Sequence, residues 1–436
     1  MRTSILILLF LVSQYSFSQD SIFTSKDAVN IALQQNLEIQ IAQSDLDVAV
    51  INNNWGNAGG LPTITSAVNN TEAISNINQK LANGSTIQRN NVSNSNIAAN
   101  VAINWRIFNG MRVRSTKDRF ESIEKMGSLM FQQQIDQVVF DVLNVYNNLI
   151  RLNKQINATK AIIELSKERL KIAETRFNVG NGAKTDMLQA KIDLNNQEIN
   201  LENILKQIQN TKATMNALLK RKADAPFLAT EEQFQIPVIN FDTLQGKIET
   251  QNYQLLLAQQ EKINLLIDKK IINAQRLPTA TFSSVTTLNK SKAGAGFFLT
   301  NQTFGPNIGI GIGIPLFNSN ITRTQAKVNK VLISQQNLQI DLLRTNLKRD
   351  LFIAFQEYQN AITVSKMEER NVKFAEENNF ISTERFKKLQ SNAIELRQAQ
   401  LSLIEAQDRY INAQYRALVA GYTLQFLTGE INKAKN

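Results

Sequence analysis

Apolar residues recur with two different periods along this 436-residue chain. From Ile135, the residues Val138, Val142, Val145, Leu149, Leu152 and Ile156 follow in steps of three and four. That 3.5-residue period lays them along one stripe of a helix and reads as a coiled-coil seam. Met187, Ala190, Leu194, Leu201, Leu205 and Ile208 hold most of the same period. The six prolines (Pro62, Pro226, Pro237, Pro278, Pro306 and Pro315) leave 63–225 and 316–436 free of them. Because an interior proline costs a helix about 3 kcal/mol, these gaps permit uninterrupted helices. The pattern predicts a helix over 112–177, roughly 100 Å long at about 1.5 Å per residue, with returning helices over 185–219 and 391–427. Shorter helices open each half, one over 24–53 behind a capping-box-like Thr24-Ser25-Lys26-Asp27 and one over 241–274.

Elsewhere the period falls to two. Ile97, Ala99, Val101, Ile103, Trp105 and Ile107 make one apolar face, while Asn100, Asn104 and Arg106 fall on the other. The alternation lasts about eleven residues, the length that a tilted transmembrane strand needs. Ile308, Ile310, Ile312 and Ile314 alternate with Gly309, Gly311 and Gly313, giving a greasy side and a side without side chains. Such a bare face would leave the core of a soluble sandwich unfilled, whereas a wide aqueous lumen can tolerate it. Leu-Pro-Thr opens each strand pair at 61–63 and 277–279, and the polar stretches 69–96 and 289–307 read as surface loops.

These elements come twice. Trp105-Arg106-Ile107-Phe108-Asn109 is echoed by Ile314-Pro315-Leu316-Phe317-Asn318 at an offset of 209 residues. Arg176-Phe177 with Asp186-Met187-Leu188-Gln189-Ala190 is echoed by Arg385-Phe386 with Glu395-Leu396-Arg397-Gln398-Ala399 at the same offset. The Leu-Pro-Thr openings stand 216 apart, so the first copy is longer between its paired segments. Each copy reads helix, strand, strand, very long helix, helix, and units of this kind commonly cannot bury their apolar face alone. The expected organisation is a signal peptide over 1–18, repeats over 19–225 and 241–430, a linker over 226–240 and a tail over 431–436.

Composition then narrows the chemistry. Met1-Arg2, an apolar run over 5–12, and Ser16 and Ser18 have the layout of a secretory signal peptide, which predicts export. No run approaches the roughly 20 apolar residues of a membrane-spanning helix. The chain has neither cysteine nor histidine. Ser-His-Asp and Cys-His nucleophiles, Cys/His zinc sites and histidine pH switches are therefore excluded, and no catalytic residue, cofactor or metal site is expected. The net charge of +11 comes from Lys and Arg dispersed among Glu and Asp, which reads as solvated helix faces and not as a nucleic-acid surface.

Four strands cannot stand alone in lipid, where unpaired edge groups cost several kcal/mol each. A membrane barrel must close, and closed barrels begin at about eight strands, so several chains must share one. The helices would then hang in the periplasm and close a helical cylinder, making a duct. The competing reading is a periplasmic coiled-coil adaptor or scaffold without a barrel. Such adaptors carry one helical hairpin in a β-rich, lipoyl-like body, whereas two hairpins and no such body appear here.

The chain resembles the TolC-like outer membrane efflux proteins over essentially its whole mature length. The resemblance rests on Asp27-Ala28-Val29 with Ala32-Leu33 and Asn36, both Leu-Pro-Thr openings, Phe108-Asn109-Gly110 and its echo, and Phe177-Asn178-Val179-Gly180 followed by Thr185-Asp186. It implies an α+β membrane protein: a homotrimer with a shared twelve-stranded transmembrane β-barrel, four strands per chain, continuous with a long periplasmic α-helical coiled-coil barrel. It also implies an outer membrane location among lipid, and an inner-membrane pump of the RND or ABC type docked through a periplasmic adaptor (membrane fusion) protein. Passive export in a tripartite efflux or type I secretion system would follow, with no nucleic-acid partner.

Three groups of residues stand out. Gly180-Asn181-Gly182-Ala183-Lys184-Thr185 fails as a phosphate loop, because Phe177 takes the first glycine's place, Ala183 interrupts the Gly-Lys step and a helix precedes it. It reads as a helix-helix turn, and its echo over 389–393 lacks glycine, so the two tips are expected to differ in shape. In the family the adaptor grips such tips, which marks Gly180, Asn181, Gly182, Ser391 and Asn392 as docking residues; plain turn chemistry is the alternative. Asp186 and Glu395 stand just past the tips, where a ring of carboxylates in a narrowing pore would select cations, or where each simply favours a helix N-terminus. The resemblance places them at the periplasmic aperture with Gln398, which stands where relatives carry a further acid. With Ser391 where many relatives have an arginine, fewer charged ties are expected at that mouth. Trp105, Phe108 and Phe317 gather at the strand ends nearest the helices, either as an aromatic girdle at the membrane interface or as packing at the strand-to-helix transition.

Overall fold

The computed structural model describes residues 21–230, 240–295 and 298–432. The signal segment, linker residues 231–239 and tail residues 433–436 lie outside the described residues. In chain order, each repeat has helices before and after a strand pair. The first holds β1 (Ser21–Phe23), α1 (Ser25–Gln35), α2 (Leu37–Asn52), β2 (Thr63–Lys80), β3 (Thr86–Asn109), α3 (Arg112–Asn178) and α4 (Lys184–Leu218). After β4 (Phe227–Ala229) the second holds α5 (Phe241–Gln251), α6 (Tyr253–Ala274), β5 (Thr279–Ala293), β6 (Thr300–Gly313), α7 (Ile321–Lys387) and α8 (Ala393–Leu427). The chain forms two compact units, and both repeats contribute to each. One combines the chain through Ser44 with Leu129–Leu256 and Asp341 onward; the other combines Asp45–Ser128 with Leu257–Ile340.

The second of these units carries an antiparallel sheet in the order β2-β3-β5-β6. Its pairing explains why the alternation matters. Ile64 faces Ile103, Ser284 faces Ile308, Phe282 faces Ile310 and Ala280 faces Ile312, so the apolar residues of all four strands share one side. Thr63 with Asn104, and Ser283, Thr281 and Thr279 opposite Gly309, Gly311 and Gly313, share the other. The glycine side is thus lined by hydroxyls from β5, with Ser283 Oγ and Thr281 Oγ1 each 3.6 Å from where a glycine's Cβ would stand.

Two expectations are corrected here. Residues 69–96 and 289–307 are not mainly loops: β2 and β3 continue through the polar stretch to a turn at 81–85, and β5 and β6 pair as far as Lys292 with Thr300. Ladder bonds join backbone groups, so a run of Asn, Ser and Thr pairs as well as an apolar one. The Asn83-Gly84 turn, in which the Gly84 N–H donates to Leu81 O at 2.9 Å, was the hairpin signal. The alternation of β3 also breaks at a bulge between Arg106 and Phe108, which brings Phe108, in place of Ile107, opposite Ala280 on the apolar side.

The other unit is held by the predicted seam. Val138, Val142, Leu149 and Leu152 are fully buried, with Ile135, Val145 and Ile156 packed against them. On α4 the seam runs through Ala190, Ile204 and Ile208, while Leu205 lies exposed. The opening helices are each broken once, by Asn36 and by Asn252. Asn36 Oδ1 accepts the Glu38 N–H at 2.9 Å while its Nδ2 donates to Leu218 O at 2.9 Å. Asn252 repeats the arrangement, accepting from Leu255 at 3.0 Å and donating to Leu427 O at 2.9 Å. In each repeat a buried asparagine therefore caps one helix and satisfies the frayed carboxyl end of another. Thr24 and Asp27 form the expected capping box. Within the predicted linker, β4 pairs in parallel with β1, and the buried Tyr146 hydroxyl sits between Phe23 O at 3.0 Å and Thr230 O at 2.7 Å.

Candidate functional site

The α3–α4 and α7–α8 turns are built alike. Asn181 N–H donates to Arg176 O at 2.8 Å, and Gln390 N–H to Arg385 O at 2.9 Å, 209 residues on. Both helices end on a left-handed residue, Gly180 at φ +77° and Leu389 at φ +62°. The expected difference in backbone shape is absent because this termination requires a left-handed residue whatever its side chain. Leucine accepts it at a cost of about 1–2 kcal/mol. The tips differ in their caps and surfaces. Asn392 Oδ1 caps α8 by accepting the Glu395 N–H at 2.8 Å, whereas Ala183 leaves α4 uncapped. Gly182 is constrained by space: a Cβ there would stand 2.9 Å from Arg176 Cβ and 3.1 Å from Phe177 N. Val179, Leu389 and Ile394 project apolar side chains into solvent at the tips, a feature the turn residues alone did not announce.

Just past the turns the acids separate. Glu395 is tied within its own hairpin to Arg385 Nη1 at 2.7 Å, a half-exposed pair worth less than about 1 kcal/mol. Asp186 and Gln398 instead line a common cavity of about 310 Å³ with Arg169, Phe386, Ile394 and Arg397. Beneath lies a clamp that sequence reasoning missed. Asp193 of α4 accepts from Arg169 of α3, and from Arg397 Nε of α8 at 2.8 Å, while Gln189 Nε2 donates to it at 2.9 Å. Burial pushes the Asp193 carboxyl up, but the hydrogen bonds from Arg397, Gln189 and Arg169, with the Arg169 charge, outweigh it and hold the group below the ordinary carboxylate range. A second tie joins the hairpins: Arg176 donates to the Phe386 carbonyl and lays its guanidinium 3.7 Å from that ring's centre. These ties between the two hairpins thus fall on residues other than those singled out at the mouth. The two arginine partners of Asp193 lie 24 and 204 residues away, so no local pattern marks the clamp.

In the sheet-bearing unit, Trp105 and Phe108 lie on the apolar side near the strand ends that lead to the helices. The Trp105 indole N–H donates to Gly60 O at 3.0 Å while much of its ring stays exposed. Phe317 follows β6 and is also exposed.

Residues 28–220 match the profile described as "Outer membrane efflux protein". The match covers most of the first repeat, which therefore resembles outer membrane efflux proteins. A relative in Brucella suis biovar 1 (strain 1330), the outer membrane efflux protein BepC, is 20% identical over 343 residues, covering 76% of this chain and 72% of that protein. Among solved structures, the outer membrane protein VceC of Vibrio cholerae superposes with a TM-score of 0.77 at 17% identity, over 93% of this chain and 96% of its own. The Campylobacter jejuni CmeC outer membrane channel gives 0.78 at 14% identity, over 93% and 85%. At these identities the structural likeness shows the fold. It extends the match past the first repeat, and the expected α+β architecture stands.

Proposed function

We propose that this chain is an outer membrane efflux protein with its helices in the periplasm, the passive exit duct of a tripartite efflux or type I secretion system, working as a homotrimer with a shared twelve-stranded barrel. One observation carries the reading: a two-faced sheet whose outermost strands, β2 and β6, each have one neighbour only, and whose isoleucine face is open to its surroundings. From Phe304 to Ile314 the apolar run of β6 spans roughly 33 Å along the strand, or about 25 Å after a tilt of about 40°, the height of the apolar band of outer membrane barrels. Copies of the chain, pairing β6 of one with β2 of the next, would remove both edges. Exposed Leu188, Ile192 and Ile199 on α4 and Leu342, Phe352 and Ile353 on α7 offer further surface for a neighbouring copy. Energy would come from an inner-membrane pump, through a periplasmic adaptor. Membrane fractionation with heat-modifiable migration tests the reading. A detergent-dependent oligomer that changes mobility on boiling is expected, while extraction without detergent would point to a periplasmic scaffold.

At the tips, the adaptor would rest on Gly180, Asn181, Gly182, Ser391 and Asn392 and cover Val179, Leu389 and Ile394. Gly182→Leu has no room beside Arg176, so it is expected to abolish export while the oligomer assembles normally. Normal export by that variant would return the turn to plain helix termination. For the aperture, Asp186→Ala with Glu395→Ala removes two carboxylates per chain, and a two-fold or greater fall in cation-over-anion preference is expected in single-channel recordings. An unchanged reversal potential would remove these acids from the pore.

A further inference from the structure

Where β6 leaves the sheet, Pro315, Leu316, Phe317 and Asn318 lead into α7 and wall an open groove of about 710 Å³ with Gln275 and Arg276. Its cations are Arg276, ahead of β5, and Arg323, Lys327 and Lys330 of α7. The last three recur at spacings of four and three, so they share one face of the helix. No carboxylate lines the groove, all four cations are exposed, and among the described residues none of them is engaged in an ion pair. The positive end of α7 adds to the same field. On the apolar wall, Leu316 is 94% and Phe317 78% exposed, and they come just after Ile308, Ile310, Ile312 and Ile314 in the chain.

An uncompensated basic groove at the edge of an apolar band matches a lipid phosphate seated where acyl chains give way to headgroups. We propose that this groove binds an anionic phospholipid of the periplasmic leaflet. Leu316 and Phe317 would lie against its acyl chains, and the four cations would contact its phosphates. Four positive charges exceed what one phosphodiester neutralises, so a headgroup with two phosphates is preferred over one with a single charge. The inference rests on the sheet spanning the membrane, and the strands run into the periplasmic helices at this end.

The test is native mass spectrometry of the detergent-solubilised full chain given equimolar cardiolipin, phosphatidylglycerol and phosphatidylethanolamine. Cardiolipin is expected to be retained at least ten-fold over phosphatidylethanolamine. The triple variant R323Q/K327Q/K330Q should reduce that retention about ten-fold, while K290Q/K292Q, on β5 and outside the groove, should leave it unchanged. Equal retention by the triple variant would overturn the proposal, as would displacement of cardiolipin by millimolar inorganic phosphate, the mark of a free-anion site. Loss of oligomer with unchanged lipid per oligomer would overturn it too, by assigning the groove to a neighbouring copy. If the wild type shows no heat-modifiable oligomer, the barrel reading itself fails, an outcome distinct from all of these.

Discussion

Ile308→Arg and Gly309→Arg, one residue apart, are expected to give opposite results. Ile308 lies opposite Ser284 on the apolar side of the sheet and is 67% exposed, near the middle of the apolar run. In the proposed barrel an arginine there would face hydrocarbon at a cost of about 2–4 kcal/mol per chain. Insertion should fail, and the heat-modifiable oligomer should largely disappear from outer membrane fractions. Gly309 points to the other side, where a Cβ would meet only Ser283 Oγ at 3.6 Å. An arginine there would stand in water, so Gly309→Arg should insert normally and shift ion preference toward anions. If both variants insert equally well, the sheet does not present one side to lipid.

The second large effect is expected at Asp193. Asp193→Leu leaves Arg169, whose side chain is 6% exposed, without its carboxylate and beside Arg397. Breaking a buried pair from one side costs about 3–5 kcal/mol, and here that cost falls on the contacts joining α3, α4 and α8. The hairpins should separate more readily, seen as a raised closed-state conductance and a lower melting temperature. Arg169→Met with Asp193→Leu should recover most of the stability, because a matched apolar pair removes the stranded charge. The pH dependence has a definite sign. A carboxyl held below its unfolded value of about 3.9 contributes stability that is fully present above that value and is lost only as pH falls through the lower folded one. The clamp should therefore hold unchanged from neutral pH down to about 5, with no histidine in the chain to titrate in that window.

What was legible in the sequence is what repeats. The seam from Val138 to Leu152, the isoleucine-glycine alternation of β6 and the 209-residue echo each impose a period that packing obeys. The errors fall where backbone chemistry overrides side-chain pattern: polar residues 69–96 pair as strand, Leu389 adopts the conformation of Gly180, and a bulge shifts Phe108 onto the apolar side. Asn36 and Asn252 were missed as helix breaks because each acts through a carbonyl at the end of a helix about 180 residues further on. The site was half legible. Proximity to the turns located Asp186 and Glu395, but only folding shows that Glu395 is paired with Arg385, that Asp186 shares a cavity with Gln398, and that Asp193 binds two arginines.

Single-channel recording of the purified full-length protein in a planar bilayer tests the central claim most directly. The predicted result is a small cation-preferring conductance in the wild type that rises several-fold in Asp193→Leu, as the contacts joining α3, α4 and α8 loosen. Absence of any conductance in both proteins, after their insertion into the bilayer has been verified, would contradict the reading of this chain as a duct.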